Sequence, residues 1–127
     1  MILLLDTQVF LWWDGGNAAL NADARGMIED ADNRVMVSTA TVREITIKRQ
    51  LGRLEFDGSP AAAIAANSFE ELAILPEDTE RAGALAWANA DPFDRLLVAQ
   101  ARRIVGTLVT ADATVRDYGG VPVMWAG

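Results

Sequence analysis

Four carboxylates in this chain could together bind divalent metal ions. Asp6 directly follows a short apolar run, and Asp112 comes two residues after another. Glu44 lies in a helical segment after a third apolar run, and Asp94 begins a further helical segment. Ligands of parallel sheets bind beyond the carboxyl ends of the strands, where these acids would meet. Four carboxylates at one edge repel one another unless cations neutralise them, and paired divalent cations suit the hydrolysis of a phosphodiester.

The composition narrows the chemistry further. The chain contains no histidine and no cysteine. This excludes serine–histidine and cysteine–histidine catalysis, imidazole and thiolate metal ligands, and disulfides. A metal site must therefore use oxygen ligands, which suit Mg²⁺, Mn²⁺ or Ca²⁺. The formal net charge is −7, so either the protein does not bind nucleic acid or it binds it only locally, through metal ions and a small basic patch.

Each acid also has a purely structural interpretation. Asp6 and Asp112 could cap the helices that follow them. Glu44 precedes Lys48 by four residues, which is the favourable order for a surface ion pair. Asp91 is a good N-cap with a proline after it, and Asp94 then falls at the third helical position, as in a capping box. For each residue alone both interpretations stay open, whereas the shared location of all four favours a site.

The elements that must position these acids alternate between strand and helix, which predicts an α/β fold with a parallel sheet. The length predicts a single domain over residues 1–127. Strands are predicted at Ile2–Leu5, Arg34–Ser38, Ala73–Leu75, Thr107–Thr110 and Val121–Trp125. Helices are predicted over 7–13, 21–31, from a cap at Ser38 or Thr41 to Leu51, 60–72, 79–88, 91–104 and just before Tyr118.

Two other α/β classes fit less well. A haloacid-dehalogenase-like phosphatase needs a second aspartate two residues after the first, and this position is Gln8. A receiver domain needs an aspartate at the end of its third strand, where this chain has Leu75 and Pro76. The chain shows neither a signal peptide nor an apolar run of transmembrane length, so a soluble cytoplasmic protein is expected.

Five motifs follow one another along the chain: Leu3–Thr7, Glu44-Ile45 with Lys48, Asp91–Ala101, Leu108–Asp112 and the closing Tyr118–Val123. Together they resemble the PIN-domain toxins of VapBC toxin–antitoxin systems. The resemblance covers nearly the whole chain in the right order, and the Asp-Pro-Phe-Asp-Arg-Leu-Leu run is specific to one branch. The branch usually has histidine where this chain has Gln8, and again within the segment Trp87–Ala90.

The resemblance implies a PIN domain, with a parallel sheet of order 3-2-1-4-5 flanked by helices. It implies a bacterial endoribonuclease dependent on Mg²⁺ or Mn²⁺, which forms homodimers and hetero-oligomers with a VapB-type antitoxin that inhibits it. The metal ligands would be Asp6 and Asp94 for the first ion, with Glu44 completing that shell and Asp112 serving a weaker second ion. Thr7 and Thr110 fall at hydroxyl positions that flank the site.

RNA contacts are expected from the basic residues of the two helices that carry Glu44 and Asp94. The alternative is that these residues only solvate their helices. The apolar segments Phe10–Trp13 and Pro60–Ala66 could be core or could face a second chain, and the acid cluster would attract an arginine or lysine from an antitoxin. The alternative function is a catalytically weak PIN-fold binding partner. The candidate RNA contacts are Arg43, Lys48 and Arg95, with Arg49, Arg53 and Arg102 beside them.

Overall fold

A five-stranded parallel β-sheet forms the centre of the protein, in the order β3-β2-β1-β4-β5. The computed structural model describes residues 1–127. The order and the α/β class confirm the sequence-based predictions. The strands are β1 (Ile2–Leu5), β2 (Arg34–Ser38), β3 (Glu70–Leu72), β4 (Thr107–Thr110) and β5 (Val123–Trp125). The helices are α1 (Thr7–Asp14), α2 (Ala22–Glu29), α3 (Thr39–Gln50), α4 (Pro60–Ala66), α5 (Pro76–Ala84), α6 (Pro92–Ile104) and α7 (Ala113–Tyr118).

The central strand β1 is apolar throughout because helices cover both faces of the sheet. Leu3 and Leu5 pack into one hydrophobic cluster, which includes residues of α1, α2, α3 and α4. Leu4 points to the opposite face and packs against α6 and α7. This alternation places the end of β1, and the acid that follows it, between two layers of helices.

Strand β3 lies three residues earlier than predicted. The apolar run Ala73–Leu75 was the predicted strand, but the residues that pair with β2 are Glu70–Leu72. The predicted helix over 60–72 accordingly ends at Ala66, and Ser68 adopts a left-handed conformation with φ of 60° that turns the chain. An edge strand can be short and charged, so apolar content was a misleading guide at this position.

Helix α5 also differs from its predicted range, 79–88. It begins at Pro76, since proline suits the first helical position, and it ends at Ala84. The buried Asp78 carboxylate accepts a hydrogen bond from the Leu75 N–H at 2.8 Å. It also forms an ion pair with Arg103 of α6 at 2.8 Å. The shorter helix leaves residues 85–91 as the connection that leads to Asp94.

The two apolar segments place their large side chains in or against the core, whereas four alanines of the second segment are exposed: Ala61, Ala62, Ala65 and Ala66. Phe10 and Ile64 are buried, and Phe69 packs against Phe10 and Trp13 with ring centroids 6.5 and 5.8 Å apart. Trp12 is half-buried and reaches the acid cleft. None of the helices combines the length and apolar composition needed to cross a bilayer, as the 13 residues of α6 illustrate.

Candidate active site

A cleft of about 430 Å³ opens at the carboxyl edge of the sheet, beyond β1 and β4. It brings together all four predicted acids, Asp6, Glu44, Asp94 and Asp112. Thr7 and Lys48, which were also named from the sequence, line the same cleft, whereas Leu97, Ala111 and Ala113 were not expected there because their residue types alone do not indicate a function. The remaining lining residues are Thr7, Gln8, Trp12, Lys48, Asp91, Leu97, Ala111 and Ala113.

Asp6 is the most deeply buried of the four acids. Its Oδ1 accepts a hydrogen bond from the Val9 N–H at 2.8 Å, and its Oδ2 accepts one from Thr110 Oγ1 at 2.5 Å. Burial raises the pKa of Asp6 to about 6, although the Thr110 hydroxyl and the amides of Val9 and Ala111 lower it. The capping interpretation therefore holds for one oxygen of Asp6, and the predicted hydroxyl of Thr110 contacts the other.

Glu44 is held inside the cleft by two neighbours. Thr7 Oγ1 donates to its Oε1 at 2.7 Å, and Lys48 Nζ donates to its Oε2 at 2.6 Å. Thr7 is in turn 3.1 Å from the Thr41 hydroxyl of α3. The Glu44 side chain is only 14% exposed, so the expected ion pair with Lys48 forms in the cleft wall and not on an outer helical surface.

Asp94 does not form the reciprocal capping box. Asp91 Oδ1 accepts from the N–H groups of Phe93 and Asp94, at 2.9 and 3.1 Å, but the Asp91 N–H donates to Asn89 Oδ1. The Asp94 carboxylate instead accepts from Asn89 Nδ2 through its Oδ2, at 2.9 Å. Its Oδ1 has no protein donor, so one oxygen of Asp94 is available to a ligand.

The electrostatics of Asp94 reflect its neighbours. Burial raises the pKa of Asp94 to about 6, and the hydrogen bond from Asn89 offsets only part of this. The negative charges of Asp91, Asp112 and Glu44 raise the pKa further. The cleft therefore holds negative charge that the protein itself does not fully compensate.

Asp112 connects to Asp6 through a shared threonine. The Asp112 N–H donates to Thr110 Oγ1 at 3.0 Å, and that hydroxyl donates to Asp6. Asp112 Oδ1 also caps α7 by accepting from the Thr114 N–H at 2.8 Å. As with Asp6, the capping interpretation and membership of the acid cleft are both correct.

The predicted RNA contacts Lys48, Arg43 and Arg95 lie in three different places. Lys48 lines the acid cleft, whereas Arg43 lies in a separate groove along α3 with Arg49 and Leu51. Arg95 points its guanidinium at backbone carbonyls of residues 82–89 and uses all five of its N–H groups there. The expectation that Arg95 binds RNA is not supported, because no donor is left for a phosphate.

The donor chemistry of the cleft fits a hard divalent cation. No three acidic side chains converge with the spacing of a metal coordination shell in this structure. Glu44 is engaged by Thr7 and Lys48, and Asp94 is engaged by Asn89. Yet the cleft supplies only oxygen ligands, which Mg²⁺ and Mn²⁺ prefer. The raised pKa values of Asp6 and Asp94 also indicate that a cation would stabilise the ionised cluster.

The chain belongs to the PIN domain family. The sequence model of this family matches residues 3–121 of the chain. No curated protein matches this chain in sequence. Solved structures match along nearly the full length of both chains. The three described below share 13–20% identity with this chain, so the likeness establishes the fold.

Three of these structures are toxin–antitoxin complexes. VapBC2 from Rickettsia felis, bound to a promoter DNA fragment, gives a TM-score of 0.71 at 13% identity and covers 100% of both chains. DNA-bound VapBC from Salmonella typhimurium gives a TM-score of 0.67 at 14% identity, and the match covers 98% of each chain. A toxin–antitoxin complex from Klebsiella pneumoniae gives a TM-score of 0.66 at 20% identity, and the match covers 96% of this chain and 95% of the other.

Proposed function

We propose that this protein is the toxin of a VapBC-type toxin–antitoxin system and cleaves RNA as an endoribonuclease dependent on Mg²⁺ or Mn²⁺. The observation that carries the proposal is the meeting of Asp6, Glu44, Asp94 and Asp112 in one cleft at the carboxyl edge of a PIN-domain sheet. The toxin–antitoxin complexes among the structural neighbours support the biological role.

Asp6 and Asp94 would hold the first metal ion, with Glu44 completing the shell and Asp112 holding a weaker second ion. A bound divalent cation supplies charge neutralisation at the scissile phosphate and lowers the pKa of the attacking water. The protein's own contribution is positioning. Thr110 fixes Asp6 and Asp112 relative to each other, and Lys48 places a positive charge at the wall of the cleft.

Mn²⁺ is expected to raise the melting temperature of the EDTA-treated protein, because a ligand that binds only the native state stabilises it. At 100 times its dissociation constant the ion would add about 2.7 kcal/mol. Thermal unfolding with added Mn²⁺ or with EDTA measures the effect, and RNA cleavage is assayed under the same conditions. If neither stability nor cleavage responds to Mn²⁺, the proposal fails, and the alternative of a PIN-fold binding partner is favoured.

Lys48, and Arg43 beyond the cleft, are the proposed phosphate contacts. Each contact to single-stranded RNA contributes about 0.7 to the slope of log binding constant against log salt concentration. We therefore expect Lys48→Ala to lower this slope by about 0.7, measured by fluorescence anisotropy in an Asp94→Asn background that prevents cleavage. Arg34→Ala, at the opposite edge of the sheet, serves as the control. An equal slope for Lys48→Ala and its parent would reject Lys48 as a contact.

The proposed partner is a VapB-type antitoxin, with which the toxin forms a hetero-oligomer, in addition to its own homodimer. The uncompensated negative charge around Asp94 would attract an arginine or lysine of the antitoxin. Such a side chain competes with the metal ion, so raising Mg²⁺ or Mn²⁺ should weaken inhibition of cleavage. Inhibition that is insensitive to metal concentration would show that the antitoxin blocks RNA access instead.

A further inference from the structure

Arg95 ties the connection between α5 and α6 to the start of α6. Its Nε donates to the Ala82 carbonyl at 2.9 Å. Its two other nitrogens donate to four more carbonyls, those of Trp87 and Asn89 at 2.8 and 2.9 Å and those of Leu85 and Gly83 at 2.8 and 3.3 Å. The planar guanidinium, with five donors in fixed directions, is suited to this role, whereas a lysine has only three donors on a flexible stem.

Asn89 is the last residue that Arg95 holds and the only one of the five whose side chain contacts a cleft acid. Its carbonyl accepts from Arg95, its Oδ1 accepts from the Asp91 N–H at 3.0 Å, and its Nδ2 donates to Asp94 Oδ2 at 2.9 Å. Asn89 is therefore fixed through both its backbone and its side-chain amide. Its donated hydrogen bond sets the orientation of the Asp94 carboxylate and leaves Oδ1 as the oxygen without a protein donor.

We infer that Asn89, held in place by Arg95, is the positioning residue of Asp94. Hydrogen bonds to the far oxygen of a ligating carboxylate orient it, and their loss typically lowers metal affinity 10–100-fold. The inference rests on the proposed function in one respect, namely that Asp94 binds the metal ion. It gives Arg95 a role that does not involve RNA, and it explains why all the guanidinium donors point at the backbone.

Asn89→Ala is expected to weaken Mn²⁺ binding about 10-fold or more, measured by titration of free Mn²⁺ with electron paramagnetic resonance. The matched control is Asn33→Ala. Asn33 also donates one side-chain hydrogen bond, to the Met27 carbonyl at 2.9 Å, but it precedes β2 at the opposite edge of the sheet. Asn33→Ala should bind Mn²⁺ like the wild type. Equal Mn²⁺ affinity for Asn89→Ala and the wild type would overturn the inference.

Arg95→Lys separates positioning from RNA contact, because it keeps the charge and loses the five-carbonyl arrangement. Positioning predicts weaker Mn²⁺ binding and, when the RNA concentration is varied at fixed Mn²⁺, a lower kcat with nearly unchanged KM for RNA. A phosphate contact would give the opposite result, with Mn²⁺ affinity retained and the effect confined to KM. The second outcome would overturn the role assigned to Arg95.

The side-chain amide resonances of Asn89 provide a readout that needs neither metal nor RNA. In the metal-free wild type we expect one Nδ2 proton to be shifted downfield by its carboxylate acceptor, and to lose that shift in Asp94→Ala. A shift unaffected by Asp94→Ala would overturn the inference. If the wild type binds Mn²⁺ but cleaves no RNA, the nuclease proposal fails while the positioning of Asp94 stands.

Discussion

Asp94→Asn is expected to abolish RNA cleavage and at the same time to make the metal-free protein more stable. Asparagine keeps the size of the side chain and can still accept the hydrogen bond from Asn89. It loses the negative charge that would hold a metal ion. Loss of outer contacts to a metal ligand already lowers activity 10–100-fold, so removal of the charged ligand should cost more than about 100-fold.

The gain in stability follows from the sign of the pKa shift. The pKa of Asp94 is raised to about 6 in the folded protein, chiefly by burial. An ordinary aspartate in the unfolded chain titrates near 3.9, so at pH 7 the ionised Asp94 destabilises the native state. This penalty grows as the pH rises from about 4 to about 6 and is absent below that window. Since Asp94 is partly exposed, solvent screening reduces it to about 1 kcal/mol.

Thermal unfolding in EDTA should therefore show Asp94→Asn melting about 4 °C above the wild type at pH 7. The difference should vanish near pH 4. With saturating Mn²⁺ the order should reverse, because only the wild type retains the full ligand set. Unchanged cleavage by purified Asp94→Asn protein would remove Asp94 from the active site.

Arg103→Leu is expected to cause the largest loss of fold stability among the charged positions. Arg103 donates to both oxygens of Asp78, through Nε at 2.8 Å and Nη2 at 3.1 Å, and Asp78 is fully buried. Leucine would leave this carboxylate with only the Leu75 N–H as a partner. Removing one member of a buried ion pair costs about 3–5 kcal/mol because the other charge stays buried and uncompensated.

The control lies on the same helix as Asp78. Arg81 pairs with Glu77 at 3.7 Å, and both side chains are about half exposed. Exposed pairs contribute about 0–1 kcal/mol, so Arg81→Leu should change the free energy of unfolding little. Urea unfolding monitored by circular dichroism compares the two variants. A loss below about 1 kcal/mol for Arg103→Leu would mean that Asp78 reaches solvent or a proton when its partner is removed.

The sequence predicted the parts of the fold that depend on burial at both faces of the sheet. Strands β1, β2 and β4 were predicted with the bounds that they have, because each contains a short apolar run that is followed directly by a polar residue. Asp6, Glu44 and Asp112 were then placed correctly at one edge, since parallel strands end together. Edge strand β3 was misplaced because its charged residues carry no such signal.

Sequence patterns could not predict the contacts that position the Asp94 carboxylate. A capping box was the expected structural alternative, but the Asp91 N–H is satisfied by Asn89 and the Asp94 carboxylate stays in the cleft. Arg95 was expected to contact RNA because of its charge and its position on the helix that carries Asp94. Its actual partners are backbone carbonyls. Because every residue has a backbone carbonyl, the residue types give no indication of these contacts.

The double use of Asp6 and Asp112 as helix caps bears on how such proteins evolve. Each acid gives one oxygen to the start of a helix, α1 for Asp6 and α7 for Asp112. Asparagine and serine cap helices about as well as aspartate, so a lineage could exchange either acid and keep both helix caps. Selection for helix capping alone would not preserve the two acids. A descendant could thus lose the proposed activity while remaining well folded, and a folded PIN domain is no guarantee of an active one.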